Sequence, residues 1–234
     1  MIWLLLIPIA FLSGSIPFGL LISRAKGVDI RSVGSGNIGA TNVGRALGRP
    51  YFFLCFFLDF LKGFAPTLVA GLATHSAGRL PLEPRESLPW LACMVAPVLG
   101  HVFSPWLKFK GGKGVATGVG AIVAIYPALT IPGVGALLVF LIMLKTFRYV
   151  SLAAMTATCI LPLLVAIHLM WAAPALGLAT SATSNPQAAP FVGVAVLLAV
   201  LIVWTHRANI RRLRTGTEPK VGQKPPAKAT SPST

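Results

Sequence analysis

Three short polar clusters interrupt an otherwise apolar chain, and their residue types are those that hold anions. The first is Gly34-Ser35-Gly36-Asn37-Ile38-Gly39-Ala40-Thr41-Asn42-Val43-Gly44-Arg45. Closely spaced glycines let backbone N–H groups converge on an anion, Ser35, Asn37, Thr41 and Asn42 add donors, and Arg45 supplies a bidentate fork. Gly34 to Gly39 formally matches G-x-G-x-x-G, but a dinucleotide site needs a preceding buried strand and a βαβ unit, whereas an apolar membrane segment and a charged linker precede this one. A plain glycine turn between two spans is the competing reading, and it leaves the many donors without a purpose.

The second cluster, Lys108-Phe109-Lys110-Gly111-Gly112-Lys113-Gly114, opens an apolar segment, so backbone amides and a helix N-terminus are expected to point at the anion that Lys113 neutralises. It is not a Walker A loop: no glycine lies five residues before Gly112, and Gly114 stands where Ser or Thr would follow the lysine. Lys108 and Lys110 fit lysines that snorkel from a helix end, but the glycines around Lys113 do not follow from that. The third cluster runs from His206 to Glu218; at helical spacing His206 and Asn209 share one face, with Ile210 and Leu213 alongside. Arg211, Arg212 and Arg214 need no more explanation than a basic flank after a span. In Arg148-Tyr149-Val150-Ser151, the serine is placed to donate a hydrogen bond to a ligand. His101 and His206 are the side chains near these clusters that titrate close to neutrality.

The elements that must position these residues are membrane helices. The chain has 234 residues, 55% hydrophobic and 11% charged, and a mean hydropathy of +0.79. Apolar runs at about 3–23, 51–74, 88–103, 115–128, 131–145, 151–173 and 190–205 approach the ~20 residues that cross a bilayer core. The stretch 115–145 is read as two segments broken at Tyr126-Pro127 and Pro132-Gly133, because one continuous helix would overshoot a core of about 30 Å. Seven segments place Arg24 to Arg49, Lys108 to Lys113, Lys145 to Arg148 and the basic tail on one face. The positive-inside rule then puts the N-terminus outside and the C-terminus in the cytoplasm. The first run lacks a basic leader and a cleavage site and is expected to be a retained span.

Asp59 and Lys62, three apart within the second run, are expected to pair and so lower the cost of burying both. Cys55, Cys93 and Cys159 lie in apolar runs without metal spacing, so neither a disulfide nor a metal site is expected. His75 and His168 are read as lone interfacial residues. A formal charge of +15 suits anionic lipid and anionic ligands, whereas nucleic acid is excluded because the basic residues flank spans. Residues 1–219 form one membrane domain, and 220–234 read as a disordered basic, Pro-rich tail.

The ordered motifs resemble a known family, the bacterial acyl-phosphate:glycerol-3-phosphate acyltransferases (PlsY family). The likeness runs through Ser13-Gly14-Ser15-Ile16-Pro17-Phe18-Gly19, Val33 to Val43, Leu58-Asp59-Phe60-Leu61-Lys62-Gly63, Gly100-His101, Phe109 to Thr117, Arg148 to Leu152 and His206 to Glu218. It implies an all-α, seven-helix enzyme of the bacterial inner membrane, with its active site facing the cytoplasm. The implied reaction moves an acyl group from acyl phosphate to the 1-hydroxyl of sn-glycerol 3-phosphate, giving lysophosphatidic acid and inorganic phosphate. By motif position, Ser35, Arg45, Lys113, Ser151, His206 and Asn209 are associated with substrate binding or activity, and Glu218 with structural integrity. On this reading Ser35, Arg45, Lys113, His206 and Asn209 are catalytic. Gly34, Gly36, Asn37, Thr41, Asn42, His101, Gly111, Gly112, Gly114 and Ser151 bind substrate. The expected partners are both substrates and membrane lipids; no cofactor is expected, and the protein is expected to be a monomer. The chain departs from the family in its outer loop Thr180 to Pro186 and its tail. A transporter of organic anions is the rival class; it fits poorly with polar residues gathered on one face and not at mid-depth.

Overall fold

The computed structural model describes residues 2–175, 177 and 186–223. Every regular element among them is helical. The first apolar run forms α1 (Trp3–Ser15) and α2 (Phe18–Arg24), separated at Ile16-Pro17, where proline can neither donate nor continue the helix. A loop then leads to the short α3 (Ala40–Leu47), followed directly by α4 (Arg49–Ala73). Next come α5 (Pro84–Val102), α6 (Val115–Ala124) and α7 (Thr130–Phe147). α8 (Val150–Ile167) continues through a π turn at His168–Ala172 into the three-residue α9 (Ala173–Ala175). The chain closes with α10 (Ala189–Thr205) and α11 (Arg207–Arg214).

Each of the seven apolar runs is largely helical, and the run 115–145 is interrupted around Tyr126-Pro127 as expected, whereas Pro132-Gly133, the other expected break, falls in the first turn of α7, where proline is tolerated. Five helical stretches are long and apolar enough to cross a membrane, and α10 with α11 makes a sixth if that pair, bent by 59°, is one span. α6, ten residues long, rises about 15 Å, half of a hydrocarbon core. α5 begins four residues before the apolar run because Glu83 and Glu86 cap it; the Glu83 N–H donates to Glu86 Oε2 at 3.2 Å. The outer loop 180–185 and most of the tail lie outside the described residues.

α4 packs against α1, α5 and α6, while α8 packs against α7 and α10. Lipid supplies no hydrophobic drive between helices, so close backbone approach has to hold them together. At the α4–α6 contact, a Cβ on Gly63 would lie 2.1 Å from the Thr117 carbonyl oxygen, and one on Gly120 would lie 2.1 Å from that of Phe60. The reciprocal pair brings the two backbones into direct contact, as Gly14 against Pro97 and Gly100 against Phe11 do between α1 and α5. Trp90, Phe191, Leu82, Met94 and Leu161 fill one buried cluster. Leu20, Ile30, Ile38, Val43, Cys55 and Leu107 fill a second, smaller one, on which the first glycine loop and α3 sit.

Candidate active site

A cavity of about 420 Å³ opens where the polar clusters meet. Ser35, Asn37, Thr41 and Arg45 reach it from the first cluster, His101 from the end of α5, Lys113 and Gly114 from the second cluster, Ser151 from the start of α8, and His206 and Asn209 from the third. A smaller cavity of about 310 Å³ shares Ser35, Asn37, Lys113, Asn209 and Arg212 with it and is walled by Gly111, Gly112 and Arg207.

The first loop is built around Asn42, which is buried. Its amide nitrogen donates to the carbonyls of Val33 and Asn37 at 3.0 Å and of Ile30 at 3.2 Å, and its oxygen accepts from the Ser35 N–H at 3.0 Å. Asn42 therefore clasps the loop, and its polar atoms are committed to the backbone instead of to a ligand. Gly34 (φ +58°) and Gly36 (φ +70°) supply the left-handed turns that the clasp requires, and neither lines the main cavity. Asn37 Oδ1 accepts from the Gly39 N–H at 2.9 Å where α3 begins, which turns α3 so that Thr41 and Arg45 face the cavity.

The second loop differs from its expected role as an amide cradle. The Gly111 N–H donates to the Val102 carbonyl at 3.0 Å and the Gly112 N–H to that of His101 at 3.1 Å. A Cβ at position 111 would lie 2.0 Å from the His101 carbonyl oxygen, and one at 112 would lie 2.1 Å from His101 Nε2. These two glycines bring the loop down onto the end of α5. What remains for an anion is Lys113 with the first turn of α6, where Gly114, Val115 and Ala116 line the cavity.

In the third cluster the helix does not run on. It bends by 59° at His206, so His206 and Asn209 meet the cavity through the bend and not through one helical face. His206 Nδ1 donates to the Ile202 carbonyl at 2.7 Å, which fixes the neutral ring as the tautomer with Nε2 free to accept. Glu218 returns from the following turn to close the site. Its carboxylate accepts from Ser151 Oγ at 2.6 Å, Asn209 Nδ2 at 2.6 Å and Arg212 Nε at 2.7 Å. Asn209 Oδ1 in turn accepts from Lys113 Nζ, so one chain of hydrogen bonds joins Lys113 to Glu218. The Ser151 proton is thus directed to Glu218, which leaves the serine lone pairs for a ligand.

Sequence reasoning missed Arg212, which looked like one more basic flank residue, and understated Glu218. Their pairing follows from the turn at Gly216 (φ +69°), which folds the chain back within six residues. It also missed the aromatic side of the cavity: Phe52, Phe53 and Phe56 from α4 and Phe140 and Leu144 from α7.

Burial pushes the Lys113 ammonium down to about 8, with Glu218 opposing the shift and Arg212 and Arg45 adding to it. Burial alone would raise the Glu218 carboxyl, but hydrogen bonds from Ser151, Asn209 and Arg212 outweigh it and hold the group below the usual carboxylate range. Arg45, half-buried with a weak bond to the Pro219 carbonyl at 3.4 Å, keeps most of its fork free. Three cations against Glu218 leave this end of the cavity strongly attractive to an anion, while its aromatic end suits an apolar chain.

The family model described as glycerol-3-phosphate acyltransferase matches residues 4–216. The chain is 42% identical to a glycerol-3-phosphate acyltransferase of Geobacter sulfurreducens over 92% of its own length and 95% of that protein. It is 43% identical to one of Aquifex aeolicus over 92% of its length and 97% of that protein. Among solved structures it is similar to PlsY, an integral membrane glycerol 3-phosphate acyltransferase, in its glycerol 3-phosphate form, with TM-score 0.76 and 40% identity over 95% of this chain and 96% of that one. The lysophosphatidic acid form of PlsY gives TM-score 0.74 and 39% identity over the same shares.

Proposed function

Since the chain belongs to the glycerol-3-phosphate acyltransferase family, we propose that it transfers a fatty acyl group from acyl phosphate to the 1-hydroxyl of sn-glycerol 3-phosphate, releasing lysophosphatidic acid and inorganic phosphate. The observation that carries this reading is the cavity itself, cationic at Arg45, Lys113 and Arg212 and aromatic at Phe53, Phe56 and Phe140. A phosphorylated polyol and an activated acyl chain need those two surroundings side by side.

The chemistry suits a site of this kind. The hydroxyl oxygen forms a bond to the acyl carbonyl carbon, the bond from that carbon to the phosphate oxygen breaks with its electron pair leaving on phosphate, and the hydroxyl proton passes to the departing phosphate. Because the donor brings its own leaving group, the protein's part is to align hydroxyl and carbonyl and to hold the charge of two phosphates. Arg45 and Lys113 are assigned to the phosphates, Ser35 and Asn37 to orienting the glycerol, and His206 Nε2 and Asn209 to completing the polar wall. Glu218 positions Asn209 and Ser151. A covalent acyl-serine is disfavoured, because among the described residues no base is hydrogen-bonded to Ser35 Oγ, which accepts only a long contact of 3.5 Å from the Asn37 N–H. We assign this basic face to the cytoplasmic side, as the positive-inside rule favours, and the protein to a bacterial inner membrane, as its resemblance implies.

The test is phosphate release and acyl transfer by purified protein offered acyl phosphate, acyl-CoA or acyl carrier protein thioester with glycerol 3-phosphate. Turnover with acyl phosphate, abolished in Lys113→Ala, is the expected result. Turnover with a thioester alone would overturn the donor assignment.

A further inference from the structure

The chain past Glu218 does not leave the molecule at once, and the site described above gives it no part. As far as Val221 it runs antiparallel to Arg148-Tyr149-Val150-Ser151, the corner between α7 and α8. Counting back from Ser151 and forward from Glu218, the partners stay in step. Ser151 Oγ bonds Glu218, Lys220 Nζ stands 5.5 Å from the centre of the Tyr149 ring, and Val221 pairs with Arg148. That last rung is double: the Val221 N–H donates to the Arg148 carbonyl at 2.8 Å, and Arg148 Nη2 donates to the Val221 carbonyl at 2.8 Å. Arg148 itself stands at φ +63° where α7 ends, a left-handed conformation that persists only where the surroundings hold it.

We propose that Arg148 is a positioning residue for the anion site: it tethers Val221, and the strap so tethered holds Glu218 against Ser151 and Asn209. This rests on the acyl-transfer reading above. Of the three donors to Glu218, Asn209 and Arg212 both belong to α11, and only Ser151 belongs to α8. A single serine would otherwise tie the clasp to α8. The tether adds two bonds at a distance of at most ~11 Å along the chain, since Val221 lies just beyond Pro219 and Lys220. From Glu218 the hydrogen bonds continue through Asn209 to Lys113 Nζ, so a contact at the surface fixes an ammonium inside the cavity. The same strap meets Arg45, whose Nη2 donates to the Pro219 carbonyl at 3.4 Å.

An arginine that ends a membrane helix is ordinarily an anchor whose guanidinium meets water and lipid phosphate. Here Nη2 bonds a backbone carbonyl instead, and the arginine's own carbonyl accepts from the same partner. Two bonds to one residue fix its orientation as well as its distance. Exposed hydrogen bonds contribute little singly. These two act together with the buried bond from Ser151 to Glu218, so one short segment is restricted at both ends. Because the guanidinium serves a single carbonyl through one nitrogen, a lysine can take its place, which it cannot do where a planar fork is required.

The experiment is steady-state kinetics on the full chain, run with whichever donor the wild type turns over, with thermal unfolding recorded for each variant. Arg148→Met keeps the length and removes the donor, Arg148→Lys keeps one donor, and Val221→Pro removes the N–H of the strap. Arg148→Met is also made in a Glu218→Ala background. The expected result is a kcat lower by about tenfold in Arg148→Met and in Val221→Pro, and by about threefold or less in Arg148→Lys. Once Glu218 is gone, Arg148→Met should change kcat by less than about twofold, because the tether acts through that carboxylate. A residue that merely supports the fold would lower kcat by the same factor in both backgrounds. Equal factors there, or wild-type kcat in either Arg148→Met or Val221→Pro, would overturn the proposal. Turnover from a thioester alone would overturn the donor reading and leave this comparison standing.

Discussion

Glu218 and Asp59 both stand in the wall of one cavity, and both are buried carboxylates, yet their surroundings differ. Glu218 accepts hydrogen bonds from Ser151, Asn209 and Arg212, three donors from two separated parts of the chain. Asp59 has one lysine at 2.8 Å, a long contact from the Cys55 thiol at 3.8 Å and a histidine that stops at 3.7 Å. A carboxylate held by three donors fixes geometry, because most of its lone pairs are already in use. A carboxylate neutralised by one lysine lowers the cost of burying both charges. Glu218 therefore reads as the clasp of the anion site, and Asp59 as half of an ion pair that ties α4 to the break after α1.

The largest effect should come from leaving one of these carboxylates unpaired. Lys62→Met strands Asp59 among apolar helices and is expected to destabilise the fold by about 3–5 kcal/mol. Asp59→Asn/Lys62→Gln should recover most of that, as read by thermal or denaturant unfolding in detergent. Full stability in the single variant would mean that the pair contributes nothing to burying Asp59, and the contrast with Glu218 would lose one side. Glu218→Ala comes next. It frees Asn209, and with it the acceptor of Lys113 Nζ, so turnover should fall roughly a hundredfold while the helices stay assembled. Unchanged turnover would show that Lys113 does not depend on the clasp.

A conservative change probes the anion end more finely. Arg45→Lys keeps charge but loses the planar fork, and should cost about 1–3 kcal/mol in kcat/KM. Wild-type kinetics would reduce Arg45 to a surface charge. The pH dependence then tests Lys113. Because burial holds its ammonium near 8, below its ordinary 10.5, the charge is present at neutral pH and is lost as pH rises through about 8. Affinity of the free enzyme for glycerol 3-phosphate should fall above that point, by at most tenfold per pH unit. Stability should move oppositely: between about 8 and 10.5 the unfolded chain binds more protons, so this residue makes the fold more stable as pH rises. An affinity flat to pH 10 would place the lysine outside the anion site.

How much of this could be read from the sequence depends on the range of the interaction. The apolar runs announce themselves by composition, and the interruption near Tyr126-Pro127 is local chemistry, so the helices were legible. So was the Asp59–Lys62 pair, since residues three apart share a helix face. α3 was hidden because eight residues with Gly44 inside them look like the rest of a glycine loop. The bend at His206 had no signal, for neither proline nor glycine stands there; the tertiary contacts of Asn209 with Lys113 and Glu218 accompany it. Gly111 and Gly112 were assigned to an anion when they serve a backbone. A glycine marks a close approach, but the sequence does not say what approaches.

The smallest expected effect is the most direct test of which arginines matter. Arg211 and Arg214 are exposed on α11, while Arg212 between them bonds Glu218 and lines both cavities. A helix sets residues i and i+1 about 100° apart, so neighbours in one basic run can face water and cavity in turn. Arg211→Gln/Arg214→Gln should therefore change stability by less than about 0.5 kcal/mol and leave kcat of correctly inserted protein nearly intact. Arg212→Gln, by contrast, removes a donor to the Glu218 clasp and should lower kcat visibly in the same assay. Equal losses in the two would mean that the run acts as undifferentiated surface charge. A hundredfold fall in the double variant would place Arg211 or Arg214 on the substrate's path, and the distinction drawn from the Glu218 clasp would fail.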